Sequence, residues 1–118
     1  MTRYLISFDA HAMDHVPDED MPAVSKAAKA VVQEALTAGV LVFAGGLEDQ
    51  PSIVATDGTI TDGSGPESFG GVTIINVSSR DEALTWAAKI AGACRCAQEV
   101  REFVPDPNPE HDAMHRST

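Results

Sequence analysis

A chain of 118 residues with 43% hydrophobic side chains is one domain by length, and it can bury a core without disulfides or a metal. The formal charge of -10, from 18 acidic against 8 basic residues, argues against a nucleic-acid partner and an anionic membrane surface, since both need concentrated Lys and Arg. Aromatic residues make up only 5%, so the core is expected to consist of small side chains that let helices lie close to a sheet.

Residues 3–8 read as a first strand, with Tyr4, Ile6 and Phe8 on one face and Leu5 and Ser7 on the other. Asp9 closes the apolar run early, so no secretory leader is expected. No stretch approaches the roughly 20 apolar residues of a membrane span. Residues 9–21 form a polar loop whose acids precede a helix and suit the positive end of its dipole. Asp20 is the expected N-cap, and Pro22 fits the first turn.

That helix is expected to run to about Ala38, burying Val24, Ala28, Val31, Ala35 and Ala38, with Gly39 as its left-handed stop. Val40-Leu41-Val42-Phe43-Ala44 is a nearly continuous apolar run and reads as a central strand, broken or bulged at Gly45-Gly46. Asp57-Gly58 between Ile53–Thr56 and Thr59–Thr61 signals a β-hairpin. A glycine-rich loop, Asp62–Gly71, leads into a strand over Val72–Val77.

Ser79-Arg80-Asp81-Glu82 is a capping box opening a second helix from Arg80 to about Ala91, with Ala83, Ala87 and Ile90 buried and Gly92 as the stop. Trp86 reads as core. Val100–Val104 is a last strand, whose neighbours Glu99, Arg101 and Glu102 read as edge or interface charges. Residues 1–104 form the domain; residues 105–118, rich in Pro, Asn, Asp, His and Ser, read as a disordered tail.

The order β-α-β-hairpin-β-α-β is the ferredoxin-like α+β plan, with two helices on one face of an antiparallel sheet. The opposite face then needs a cover. A second subunit supplies it most simply, so a homodimer is expected.

Two loops offer chemistry. Asp9, His11, Asp14 and His15 cluster after the first strand, where an imidazole beside a carboxylate suits acid–base work. The plainer reading is a solvated loop. His11 and His15 are four apart, as metal ligands on a helix would be. In the glycine-rich loop, Asp62 or Glu67 could act as base; the plainer reading is a strand connection. Cys94 and Cys96 flank Arg95, which would favour a thiolate; on a strand they would point the same way as small core residues. With no other cysteine, a reducing cytoplasm is the expected setting. His111 and His115 repeat the four-residue spacing in the tail, where solvation is the simpler reading.

Several segments in order resemble the YCII-related superfamily, in its DGPF branch. They are Arg3-Tyr4-Leu5-Ile6-Ser7, Ala38-Gly39-Val40-Leu41 before Gly45-Gly46-Leu47, Val54-Ala55-Thr56-Asp57-Gly58 and Ile60-Thr61-Asp62-Gly63. Gly70–Val77, Asp81–Ala88 and Glu99-Val100-Arg101 complete the set, which spans residues 3–104. The resemblance implies a ferredoxin-like dimer with facing sheets, a dimeric α/β barrel. It also implies either a small-molecule enzyme, as in a dehydrochlorinase relative, or an accessory role beside extracytoplasmic-function sigma factors. The YCII branch has a proposed His–Asp catalytic pair that does not carry over. The first helix has Lys26-Ala27-Ala28-Lys29 where the His belongs, and no acid stands near Ile90-Ala91-Gly92. The DGPF motif survives as Asp62-Gly63, with Ser64-Gly65 in place of Pro and Phe and Glu67 standing in for the following acid.

The resulting expectation is a cytoplasmic homodimer that binds a small molecule without cofactor or metal. As an enzyme it would be a metal-free lyase or isomerase using Asp9, His11, Asp62 and Glu67. The alternative is a non-catalytic accessory or regulatory protein paired with a sigma factor.

Overall fold

A computed structural model describes residues 1–63 and 69–112. Residues 64–68, Glu67 among them, lie outside the described residues, as do residues 113–118 with His115. The elements in order are β1 (Thr2–Asp9), α1 (Met21–Thr37), β2 (Leu41–Gly46), β3 (Ser52–Val54), β4 (Ile60–Asp62), β5 (Phe69–Val77), α2 (Arg80–Cys94) and β6 (Glu99–Glu102). Strands β2-β5-β1-β6 form one antiparallel sheet, and β3-β4 form a separate hairpin. Two helices packed against an antiparallel sheet make an α+β domain compatible with the ferredoxin-like plan.

Alternation along the central strands decides which face is inside. Tyr4 and Ile6 of β1 and Ile75 and Val77 of β5 are buried, and they meet Ala35, Ala83, Ala87, Ile90 and Cys94 from the helices. Both helices therefore cover the same face. Ile6 and Ile75 are fully buried, each contributing about 1.5–3 kcal/mol of apolar transfer free energy. The alanines opposite them allow the close helix–sheet approach that the low aromatic content implies. Cross-helix ion pairs join Lys89 to Glu34 and Arg95 to Asp20, and the Lys89 ammonium sits 5.1 Å from the Trp86 ring centroid.

Several expectations need correction. The apolar run at 40–44 belongs to an edge strand, not a central one. Its inward residues, such as Val40 and Leu41, join the core, whereas Phe43 is 53% exposed. A continuous apolar run cannot separate a buried strand from an edge strand with apolar groups on both faces. The irregularity in β2 falls between Leu41 and Phe43, not at Gly45-Gly46. Ala38, expected inside, is exposed just past the end of α1.

The second helix does not stop at Gly92. It runs to Cys94, because Cys94 extends the buried stripe of Ala83, Ala87 and Ile90. That packing outweighs the cost of about 1 kcal/mol for an internal glycine. Arg95, at φ 57, takes the left-handed cap position instead, and its N–H donates to the Ala91 carbonyl. Asp20 stands at the N-cap of α1 but makes no side-chain cap bond. A 3-10 turn over Asp18–Asp20 feeds straight into the helix and leaves Asp20 at helical angles, where that bond does not form. At α2 the cap forms: the Glu82 N–H donates to Ser79 Oγ at 3.2 Å. Glu82 reaches back one residue further than expected, accepting from the Ser78 N–H and hydroxyl.

The hairpin at Asp57-Gly58 is present. The Gly58 N–H donates to the Ala55 carbonyl, Gly58 takes φ +88, and the Thr59 N–H donates to the Asp57 carboxylate. That last bond pulls the Asp57 carboxyl below its usual range. Glu99, Arg101 and Glu102 do lie on an edge strand, β6, and Glu102 accepts a hydrogen bond from the buried Tyr4 hydroxyl at 3.1 Å.

Candidate functional site

The loop after β1 is organised by Asp9. A register shift between Phe8 and Asp9 ends the ladder, the Asp9 carboxylate accepts from the His11 N–H at 2.8 Å, and its carbonyl accepts from Ala12. Such an Asx turn redirects the chain locally. His11 Nδ1 then lies 3.1 Å from Asp14, with both side chains well exposed, at 60% and 70%. Successive turns, not a helix, carry the chain through His15, so the four-residue spacing does not set two imidazoles on one helical face. Among the described residues, no group of three or more His, Cys, Asp or Glu is placed to hold a metal.

Asp62 ends β4, where it accepts a 2.6 Å hydrogen bond from the Ser52 hydroxyl on the partner strand. Its carboxylate thus ties the hairpin closed. Asp9 ends β1 of the main sheet and His11 lies in the turn after it, whereas Asp62 belongs to the separate hairpin. Glu67 is outside the described residues.

The cysteines are not a thiolate pair on a strand. Cys94 ends α2, buried, and Cys96 lies in the loop beyond. Burial first, and the neighbouring Cys96 second, push the Cys94 thiol up. Burial also raises Cys96, against the lowering effect of its bond from Gln98. Arg95 does not serve the thiols, because its guanidinium is engaged by Asp20.

A groove of about 920 Å³ lies at the other end of β1 from Asp9, on the sheet face away from the helices. Arg3, Phe43, Ile74, Phe103, His111 and Asp112 line it. The Phe103 N–H donates to the Arg3 carbonyl, carrying the β1–β6 ladder one residue beyond β6. The chain then folds back. The Asp106 carboxylate accepts from the Asn108 N–H at 2.8 Å and from His111 Nδ1 at 2.6 Å. Asp112 pairs with Arg3 at 2.7 Å. The Asn108 N–H first, then His111, hold the Asp106 carboxyl below its usual range.

Residues 103–112 therefore build one wall of the groove, and from Pro105 onward they fall in the stretch that composition marks as a tail. Two local signals point to order: an Asp two residues ahead of Asn108, as an Asx turn needs, and Pro109 opening a 3-10 turn. The Arg3–Asp112 pair that closes the fold-back spans almost the whole chain and leaves no local mark.

No family model matches the chain, and no curated protein matches its sequence.

Proposed function

We propose that the chain is a YCII-related, DGPF-type protein that works as a homodimer, two sheets face to face, and binds a small molecule. The open sheet face carries this reading. Leu5, Val72 and Ile74 are only half-buried there, and Phe43 is more than half exposed, while both helices occupy the other side. The hairpin adds Ile53, Val54 and Ile60, all exposed. A lone two-stranded hairpin with an apolar surface is marginal in water and gains from a partner. The two free, protonated thiols suit a reducing cytoplasm.

The test is mass by light scattering on gel-filtered protein. A dimer of the 12.4 kDa chain is expected, shifted towards monomer by Phe43→Asp. Monomer at every concentration would sink the dimer.

As an enzyme, the dimer would run a metal-free elimination or isomerisation with Asp9, His11, Asp62 and Glu67 as acids and bases. One observation favours the non-catalytic reading, an accessory to a sigma factor: His11 is solvent-exposed and bonds Asp14, while Asp62 is spent on Ser52. Titrating the isotope-labelled chain with a purified extracytoplasmic-function sigma factor separates the readings. Saturable amide shifts support the accessory role, and their absence counts against it.

A further inference from the structure

The groove is a gap between the open sheet face and a segment of chain that stands in front of it. Its floor includes Phe43 and Ile74 of that face, and its other wall runs from Phe103 to Asp112. Alternation along β1 buries Tyr4 and Ile6 beneath the helices, so Arg3 projects onto the open face. Both ends of the segment are fastened to that one residue. The Phe103 N–H donates to the Arg3 carbonyl, and the Arg3 guanidinium donates to the Asp112 carboxylate at 2.7 Å. The segment therefore arches over one end of the face as a strap. Facing sheets pack about 10 Å apart, a distance their own side chains fill. A further layer of backbone does not fit between them, so the closed strap and a facing subunit exclude each other.

Little holds the strap down. Residues 103–111 are all exposed, and the Arg3 and Asp112 side chains remain 33% and 30% exposed in their pair. Segments with few buried contacts open at low cost. The strap is also stiff within itself, because the Asp106 carboxylate holds both the Asn108 N–H at 2.8 Å and the His111 ring at 2.6 Å. Bending falls between the ladder and that turn, at Val104-Pro105. We propose that residues 104–112 are an autoinhibitory strap: closed on Arg3 it blocks the dimer face, and release of the Arg3–Asp112 pair admits the second subunit. The inference rests on the facing-sheet dimer and adds what controls it.

The dimer dissociation constant of full-length variants tests it, measured by sedimentation at about 0.15 M salt, where distant surface charges are screened. Each subunit must open its own strap, so the closing equilibrium enters the constant twice. A partly exposed ion pair shifts one such equilibrium by about two- to fivefold. Asp112→Arg turns the pair into a repulsion and should tighten the dimer by roughly four- to twenty-five-fold. Arg3→Asp in the Asp112→Arg chain restores an opposite pair and should reverse that gain. The same Arg3→Asp change in the parent chain breaks the pair and should tighten the dimer, so the sign of its effect depends on residue 112. Glu110→Arg changes the net charge as Asp112→Arg does, and should leave the constant within about twofold. A dimer that Asp112→Arg leaves unchanged or weakens, or that Glu110→Arg tightens equally, overturns the strap and keeps the dimer. Parent and Asp112→Arg chains that are both monomeric at every concentration overturn the strap and the dimer together.

Discussion

The Arg95 guanidinium donates to the Asp20 carboxylate at 2.9 Å, tying the end of α2 to the start of α1 across 75 residues of chain. Arg95 also occupies the left-handed cap of α2 at φ 57, the one positive φ outside glycine among the described residues. The two roles can be separated. Arg95→Ala loses the ion pair and keeps the strained backbone, costing about 0.2–1 kcal/mol because both side chains are partly exposed. Arg95→Gly loses the same pair but relieves the backbone, so it should be about 1 kcal/mol more stable than the alanine variant. Urea titration of both variants decides. The deficit of Arg95→Ala should also shrink at high salt.

Ser79 caps α2 through its bond from the Glu82 N–H, while the Glu82 side chain is engaged by Ser78. Removing the cap oxygen orphans an N–H at a helix start. Ser79→Ala should therefore cost about 1 kcal/mol in chemical denaturation. Ser78→Ala should cost less, since its hydroxyl holds a side chain and not the helix backbone.

Phe8 lies against the glycine pair of β5. A Cβ on Gly71 would meet the Phe8 ring at 2.7 Å, and one on Gly70 would meet that ring at 2.8 Å and the Asp9 carbonyl oxygen at 3.0 Å. Overpacking of this kind typically costs about 1–3 kcal/mol. Gly71→Ala should be rescued substantially in a Phe8→Ala background, because only the ring is in the way. Gly70→Ala should be rescued much less, since the backbone clash remains. Thermal melts of the two glycine variants, Phe8→Ala and the two double variants form the check, and equal rescue at both glycines would contradict the geometry.

What was legible in the sequence was local. The Asp57-Gly58 turn, the Ser79 cap, the alternation over Tyr4–Ile6 in β1 and the spacing of Ala83, Ala87 and Ile90 each declare themselves within a few residues, and all are present; beyond Ile6 the alternation fails, because Ser7 is buried as well. What was not legible depends on partners far along the chain. The place of β2 at the sheet edge is set by β5, which has β1 on its other side. The end of α2 is set by what Cys94 packs against, and Asp20 is drawn to Arg95 instead of capping its own helix. The candidate site follows the same rule. Asp9 and His11 are joined by a local turn, but the groove depends on Arg3 meeting Asp112, and composition gives no hint of that meeting.

The fold-back at residues 106–112 should loosen in acid, and the sign follows from Asp106. Its carboxyl is held below its ordinary value of 3.8 by the Asn108 N–H first and His111 second. A group whose folded pKa is depressed contributes stability that is present above its unfolded value and is lost as pH falls through the folded one. The contribution is therefore complete near neutrality and declines only below 3.8. The Asn108 amide proton reports the turn directly, because it donates to Asp106. Its chemical shift should stay flat through the neutral range and move upfield in strong acid. Asp106→Asn should abolish that acid transition and, since the amide lacks the negative charge, weaken the hold on His111 at any pH above it. A midpoint above 3.8 for Asn108 would mean that Asp106 is not stabilised as the carboxylate, and the turn could not then be what fixes the His111 ring.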